Sequence, residues 1–348
     1  MEKSALIAMS GGVDSSVAAL LMLREGHRCA GGTMLLHGGA EGDIGDAASV
    51  CARLGIEHRV FNLSREFDEL VVKSFVAAYE AGLTPNPCVE CNRKLKFPMM
   101  LAKARQLGLE NIATGHYAKI ERDPVSGRWL LKKAESSEKD QTYVLYSLSQ
   151  DVLAHTVFPL GSLKKSEVRD IAESEGLLNA RKRDSQDICF IPGGDYGVFM
   201  ESYTGKTYEP GDYLSADGAI LGRHRGAVRY TLGQRRGLGI AMGERVFVTG
   251  KDMEKNTVTI GSEKELMRRE AIVGGLNFIS IPELYEPIRV EAKARYSQNM
   301  KPALLSPLPG GRASLLFDEP QRAMTPGQAA VFYDGDAVVG GGTIEEVR

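Results

Sequence analysis

The 348-residue chain is predicted to be an α/β protein: a parallel-sheet domain, then a small mixed domain, then a barrel-like β unit. Three observations predict this. Residues 1 to about 200 alternate short apolar runs with segments of helical period, the pattern of a parallel sheet covered on both faces. After about residue 200, Gly205, Pro210-Gly211, Asp217-Gly218, Gly222 and Gly226 cut the chain into short pieces that leave little room for a long helix. From about Glu270 onward, alternating runs at 288–294, 313–317 and 329–332 are separated by turn residues and read as an all-β unit. The expected boundaries are 1–200, 201–269 and 270–348.

In the first domain the expected strands are 5–9, 28–35, 58–62 and 111–114, and the expected helices 15–25, 46–54, 67–79 and 97–107. Ligands of such a sheet bind at the carboxyl ends of its strands. Trp129-Leu130-Leu131, flanked by Asp123-Pro124 and Ser126-Gly127, reads as a hairpin inserted near the sheet edge.

A chain that is 43% hydrophobic and 25% charged is neither a disordered tail, a collagen-like fibre nor a disulfide-stapled miniprotein. The longest purely apolar run, 17–23, falls far short of the ~20 residues a membrane-spanning helix needs. No targeting segment fits in front of the first apolar run, so a cytoplasmic location with no membrane association is expected. Five cysteines (29, 51, 88, 91 and 189) point to thiol chemistry rather than a permanent disulfide framework. The net charge of −2 conceals a local excess: Arg223, Arg225, Arg229, Arg235 and Arg236 fall between Gly218 and Gly243 with no acid among them. Such clusters either meet phosphate backbones or remain solvated loops.

The sharpest motif is Ser10-Gly11-Gly12-Val13-Asp14-Ser15-Ser16, between the first strand and the first helix. Its glycines let backbone N–H groups approach an anion, its serines add hydroxyl donors, and the helix start adds partial positive charge. A pyrophosphate fits such a cradle, and neither the Walker pattern nor the dinucleotide pattern is present. Cys88 and Cys91 stand in a proline-braced segment, Thr84-Pro85-Asn86-Pro87-Cys88-Val89-Glu90-Cys91-Asn92, and Cys189 closes Asp184-Ser185-Gln186-Asp187-Ile188. Zinc binding through Cys88 and Cys91 would need two further ligands, and no second CxxC or paired His motif lies nearby. A thioredoxin-like pair would sit at a helix start after a strand.

The combination SGGVDSS, TPNPC..CN..LKF, ATGHYA, KDQTYVLY, DSQDICFIP, YTLGQRRGLGI and ARY runs collinearly over essentially the whole chain. It resembles the tRNA-specific 2-thiouridylase family of the PP-loop ATP pyrophosphatases. That resemblance implies an adenine nucleotide hydrolase-like catalytic domain and ATP-dependent 2-thiolation of the wobble uridine (U34) in the tRNAs for Lys, Glu and Gln. It further implies ATP with Mg2+, the ion lying near Asp14, and no metal held by the protein itself. Ala8, Met9, Ser10, Gly11, Gly12, Val13, Asp14, Ser15, Met34 and Gly115 would bind ATP. Cys189 would carry the persulfide sulfur, and Cys91, which directly precedes Asn92, would be the nucleophile that releases it, the two closing a disulfide. Asn86, Pro87 and Cys88 would frame the target base, with the Cys88 thiol, where some relatives carry Asp, a bystander in its pocket. His116, Lys139, Asp140, Gln141, Arg295, Tyr296 and Gln328 would contact the tRNA anticodon stem-loop or shape the site. The sulfur would come from a cysteine desulfurase or a carrier protein. By comparison with relatives, the polar segment 36–45 is short.

Adenylation of the uracil C2 oxygen would turn a poor leaving group into a good one. Sulfur then arrives either by direct persulfide attack or as sulfide liberated by Cys91, and both routes call for a depressed thiol pKa. Three other readings compete. A PP-loop amidating synthetase has no use for the thiols or the basic module. A non-enzymatic nucleotide- or RNA-binding module leaves both cysteine motifs idle. A 4-thiouridine synthetase carries a separate RNA-binding domain ahead of the loop. Taken alone, His116 reads as a strand-end histidine and Lys139-Asp140 as an exposed turn.

Overall fold

A computed structural model describes residues 3–38, 41–177, 179–180, 182, 188–191, 193–240, 242–243 and 245–348. Residues 184–187 of the third cysteine motif lie outside the described residues.

The first sheet is built of β1 (Ser4–Ala8), β2 (Arg28–Leu35), β3 (Glu57–Asn62) and β4 (Asn111–Ala113). After them come a hairpin, β5 (Lys119–Arg122) and β6 (Trp129–Lys132), and a short strand, β7 (Thr156–Val157). All pairs within the sheet are parallel and its order is β3-β2-β1-β4-β7. Because β2 and β3 add on one side of β1 and β4 on the other, the winding reverses between β1 and β4. A crevice opens there at the carboxyl ends, which is where ligands of open α/β sheets bind. Two apolar clusters cover the faces. Leu6, Met100, Leu101 and Ile112 pack on one side, and Ile7, Val17, Met22 and Val50 on the other.

The four expected strands and the helices Val13–Arg24 and Phe97–Gln106 stand within about two residues of where hydrophobic period places them. Two expectations are corrected. The helix assigned to 46–54 begins at Glu41, so part of the polar segment 36–45 is its first turn. That turn lies on the glycine loop: a Cβ on Gly11 would stand 2.4 Å from the Asp43 carbonyl oxygen. The hairpin β5–β6 does not extend the parallel sheet either. It joins the C-terminal β unit, Lys132 of β6 pairing with Ala337. Leu131, fully buried, finds Val331, Tyr333 and Val338 in its cluster, so apolar packing across the two units wins over proximity in sequence.

The middle of the chain holds β8 (Gly211–Leu214), β9 (Ile220–His224), β10 (Phe247–Asp252) and β11 (Thr257–Gly261), in the order β10-β11-β8-β9. It has its own small core of Tyr213, Tyr230, Val248, Val258 and Ile260. The C-terminal unit comprises β12 (Met267–Phe278), β13 (Ile288–Lys293), β14 (Lys301–Leu308), β15 (Arg312–Arg322), β16 (Ala329–Asp334) and β17 (Ala337–Val347). The ladder β12-β15-β14-β13-β16-β17 returns from β17 to β12, closing a barrel and removing its free edges. The interior is filled by Val273, Ala292, Leu305, Leu315, Phe317 and Phe332. Among the described residues no helix is long and apolar enough to cross a membrane.

Candidate active site

Ser10 follows β1 at the winding reversal, and the turn Ser10-Gly11-Gly12 enters the helix Val13–Arg24. Gly11 takes φ +70°, a left-handed conformation that glycine adopts without steric cost. Gly12 caps the helix without any side-chain hydrogen bond, which leaves first-turn N–H groups pointing outward as anion donors. The hydroxyls of Ser10 and Ser15 lie 3.2 Å apart, and those of Ser15 and Ser16 donate to the Gly12 carbonyl at 3.0 Å. Gly115, after β4, closes the crevice from the other side. A Cβ there would lie 2.7 Å from the Asp14 carbonyl carbon and 2.8 Å from the Ser15 nitrogen, so only glycine fits. Ala8 and Met9 lead into the turn, and Met34 lies near the end of β2, half-buried.

Two lysines that sequence reasoning missed flank this loop. Lys165 donates to both carboxylate oxygens of Asp14, at 2.7 and 2.8 Å, and the Tyr117 hydroxyl donates to the same carboxylate at 2.8 Å. Lys182 is held at 2.7 Å by both Asp43 and Asp46 and reaches the Gly11 carbonyl at 3.4 Å. Asn179, buried, donates to the Gly11 carbonyl and the Ser16 hydroxyl, bracing the turn from behind. Lys165 and Asn179 carry no sequence pattern that marks them. Lys182 adjoins the third cysteine motif, and Tyr117 lies inside ATGHYA.

The thiols lie at the same end of the sheet. Asn86 caps the helical segment Pro87–Cys91, accepting from the Cys88 and Val89 N–H groups, with Pro87 in the first turn. The chain continues through a π turn, Asn92–Lys96, into Phe97–Gln106, with helical dihedrals at both junctions. Such a turn commonly marks a functional position. Here it directs the Lys96 backbone N–H at the Cys91 sulfur. Cys88 is exposed, Cys91 is 8% exposed beneath it, and Cys189 is exposed. Phe190 and Ile191 pack with Cys91, Leu95, Phe67 and Phe75, which fixes Cys189 against the Cys88–Cys91 face.

The expectation of depressed thiol pKa values is overturned. Although the Cys189 side chain reaches the surface, the protein packed around it desolvates the thiol and pushes it up to about 11, reinforced by Cys88 and Cys91, with Lys96 pulling the other way. Burial likewise raises Cys91 and Cys88, again opposed by Lys96. Lys96, present in the LKF of the second cysteine motif but not singled out, is thus a cation shared by all three thiols. His116 links them to the loop. It follows Gly115, stands 2.7 Å from the Thr114 hydroxyl, and its ring packs against Phe97 and Phe158. Burial, then Lys96, holds its pKa well below the usual range, so the imidazole is neutral.

The remaining predicted residues divide. Tyr296 is 48% exposed, packs edge-on against Tyr143, and is in electrostatic contact with Asp140, Lys139 and Cys88, so these four share one wall of the cleft. Asp140 and Gln141 also shape the turn, accepting from the Ala134 and Tyr117 N–H groups. Gln328 donates to the Thr84 carbonyl at 2.9 Å, fastening the cysteine segment to the barrel. Arg295 donates from Nη2 to the Leu232 carbonyl at 2.8 Å and to Thr325, which staples the middle unit to the barrel. Within the arginine cluster, Arg229 is half-buried in ion pairs with Glu201 and Asp195, and Arg223 pairs with Asp212. Arg235 instead lines a cavity of about 390 Å3 with Arg245, Phe247, Glu263 and Arg322, contiguous with a groove past Gly237 and Ile240. Among the described residues no group of three His, Cys, Asp or Glu side chains is arranged to hold a metal ion.

Three domain-family models match the chain in series. They are described as a tRNA methyl transferase HUP domain over residues 3–193, a tRNA methyl transferase PRC-barrel domain over 198–262 and an aminomethyltransferase beta-barrel domain over 268–344. Among curated proteins, the tRNA-specific 2-thiouridylase MnmA of Acetivibrio thermocellus is 47% identical, covering 99% of this chain and 99% of its own. Those of Clostridioides difficile, at 44% and 99% of each chain, and Halothermothrix orenii, at 47% and 98% of each, are similar throughout. The chain belongs to the tRNA-specific 2-thiouridylase family. The order of parts in this family member, an α/β domain, a PRC-barrel-like unit and a closed β-barrel, is the α/β fold class read from the sequence.

Proposed function

We propose that this chain thiolates C2 of the wobble uridine in the tRNAs for Lys, Glu and Gln, using ATP to activate the base and a persulfide on Cys189 to supply sulfur. Membership of the 2-thiouridylase family makes it a tRNA sulfurtransferase. The observation that supports the finer reading is the placement of an anion-cradling turn and a three-thiol cluster at one end of one sheet, joined through Gly115, His116 and Lys96.

Residues 8–15, with Met34 and Gly115, hold Mg-ATP with its β and γ phosphates on the first-turn N–H groups. Lys165 and Lys182 neutralise the developing pyrophosphate. Asp14 positions Lys165 through two hydrogen bonds rather than standing open to a metal ion. The uracil C2 oxygen attacks the α-phosphorus, pyrophosphate leaves, and the base carries AMP on O2. The terminal sulfur of the Cys189 persulfide then attacks C2 and AMP departs. Cys91 attacks the Cys189 sulfur, releasing the 2-thio base and leaving a Cys91–Cys189 disulfide. In the sulfide variant of this route, Cys91 acts first. Neutral thiols in the resting site protect it from oxidation, and the Lys96 ammonium stabilises whichever thiolate forms.

The target base must leave its stack to reach this cleft. Asn86, Pro87, Lys139, Asp140 and Tyr296 frame it; Gln328 of the barrel holds the cysteine segment through Thr84, and Arg295 holds the middle unit beside it. The Arg235–Arg245 groove takes the phosphate backbone of the same stem-loop, which fixes orientation without reading sequence. The sulfur donor is a desulfurase or carrier that docks at exposed Cys189. Incubation with ATP and unmodified tRNA tests the reading: pyrophosphate release that requires tRNA supports it, and release indifferent to tRNA refutes it.

A further inference from the structure

The chain carries one more thiol than the sulfur transfer uses. Cys88 and Cys91 stand three positions apart on one helical path, so their Cα atoms lie about 5 Å apart and their Cβ atoms about 5–6 Å. The first distance falls inside the disulfide range, and the second needs a contraction of about 1–2 Å. That contraction is local, because the π turn Asn92–Lys96 begins directly after Cys91 and interrupts the regular ladder. Exposure differs along the cluster: Cys88 and Cys189 open to solvent, whereas Cys91 is covered. A Cys91–Cys189 disulfide therefore keeps one sulfur out of reach of an external reductant and blocks the sulfur that must be reloaded.

We propose that Cys88 is the resolving thiol of the reaction cycle, shifting the disulfide from Cys91–Cys189 to Cys88–Cys91. The inference rests on the persulfide reading above. The Cys88 thiolate attacks the Cys91 sulfur of the Cys91–Cys189 disulfide. The Cys88–Cys91 bond forms, the Cys91–Cys189 bond breaks, and Cys189 leaves as a thiolate that takes the proton Cys88 lost. One thiol and one disulfide become one thiol and one disulfide, so no oxidant is consumed. Cys189 is then free for a new persulfide, and an external dithiol, attacking the exposed Cys88 sulfur, reduces the Cys88–Cys91 bond by two electrons and is itself oxidised to a disulfide. Lys96, in electrostatic contact with all three sulfurs, stabilises each thiolate in turn. The packing of Phe190 and Ile191 with Cys91 keeps Cys189 on the same face throughout.

The test uses the full-length protein, persulfidated, with ATP and unmodified tRNA. The reaction is quenched by alkylation after one turnover, and the disulfides are mapped by peptide mass spectrometry without reduction. The wild type is expected to show Cys88–Cys91 with alkylated Cys189. C88S is expected to hold Cys91–Cys189 in the molecules that have turned over, and its steady-state rate at limiting reductant falls about tenfold or more below its own rate at saturating dithiol. A raised concentration of small dithiol restores that rate, and C88A behaves the same way. The proposal is overturned if the wild type shows only Cys91–Cys189, if C88S turns over at the wild-type rate at limiting reductant, or if added dithiol leaves the C88S rate unchanged. It is also overturned if the three thiols together hold a stoichiometric metal ion that each Cys→Ser change releases. Absence of 2-thiouridine from the wild-type first turnover would instead refute the persulfide reading itself.

Discussion

Lys96 and Gly115 decide most of the local chemistry. Because burial raises the Cys189 thiol to about 11, the resting protein holds it protonated at neutral pH. Its alkylation rate is therefore expected to climb about tenfold per pH unit between pH 7 and 10, since only the thiolate reacts. K96M removes a cation that acts on all three sulfurs. Alkylation at pH 8 is then expected to slow several-fold, and the pH profile to shift upward; an unchanged profile would show that Lys96 does not tune the thiols. Gly115→Ala places a methyl group against the Asp14 and Ser15 backbone. Overpacking of that kind costs about 1–3 kcal/mol. Calorimetry should find ATP binding weakened about tenfold, with no loss of helix by circular dichroism. Most of these residues were legible: Ser10 to Ser15, Cys91 and Cys189 stand in motifs whose chemistry is local. Lys96, Lys165 and Asn179 were not, because a lysine or asparagine acquires a role only from what folding brings beside it.

At the scale of elements, the chain is most legible where hydrophobic period and burial agree. Strand Ser4–Ala8 is an almost continuous apolar run in a covered sheet, and Arg28–Leu35 carries apolar pairs, Cys29-Ala30 and Met34-Leu35, either side of Gly31-Gly32-Thr33, so the pattern finds both. The first turn of Glu41–Leu54 was missed because Glu41, Gly42, Asp43 and Gly45 offer no apolar face. It is held by Lys182 and by contact with Gly11 instead. Hairpin β5–β6 was found, but its partner was misjudged, since Trp129-Leu130-Leu131 is apolar toward whichever sheet lies nearest in space. The staple between the middle unit and the barrel was invisible for the same reason. Arg295 belongs to a motif that suggests RNA contact, yet Nη2 is spent on Leu232 and Thr325. Arg295→Met leaves the Leu232 carbonyl unpaired, and hydrogen bonds to charged groups are worth about 1.5–3 kcal/mol. Urea unfolding is expected to show a loss of that size. A loss below about 0.5 kcal/mol would mean that solvent replaces the hydrogen bond.

Across the whole molecule, near-neutral net charge hides a division of labour among arginines. Arg229 is spent internally, whereas Arg235 and Arg245 face a groove between the middle unit and the barrel. Composition could locate the cluster but not divide it, because ion pairs with Glu201 and Asp212 cross from other elements. Replacing Arg235 and Arg245 with Gln should weaken tRNA binding and lower the slope of log K against log salt by about 1 for each phosphate no longer neutralised. An unchanged slope would place the RNA elsewhere. The central claim, that one end of the sheet both activates a tRNA uridine and delivers sulfur from Cys189, meets its most direct test in nucleoside mass spectrometry. Unmodified tRNA is incubated with ATP, a sulfur donor and either the wild type or C189S. The account predicts 2-thiouridine with the wild type only, while C189S still releases tRNA-dependent pyrophosphate. Normal amounts of 2-thiouridine from C189S would contradict it.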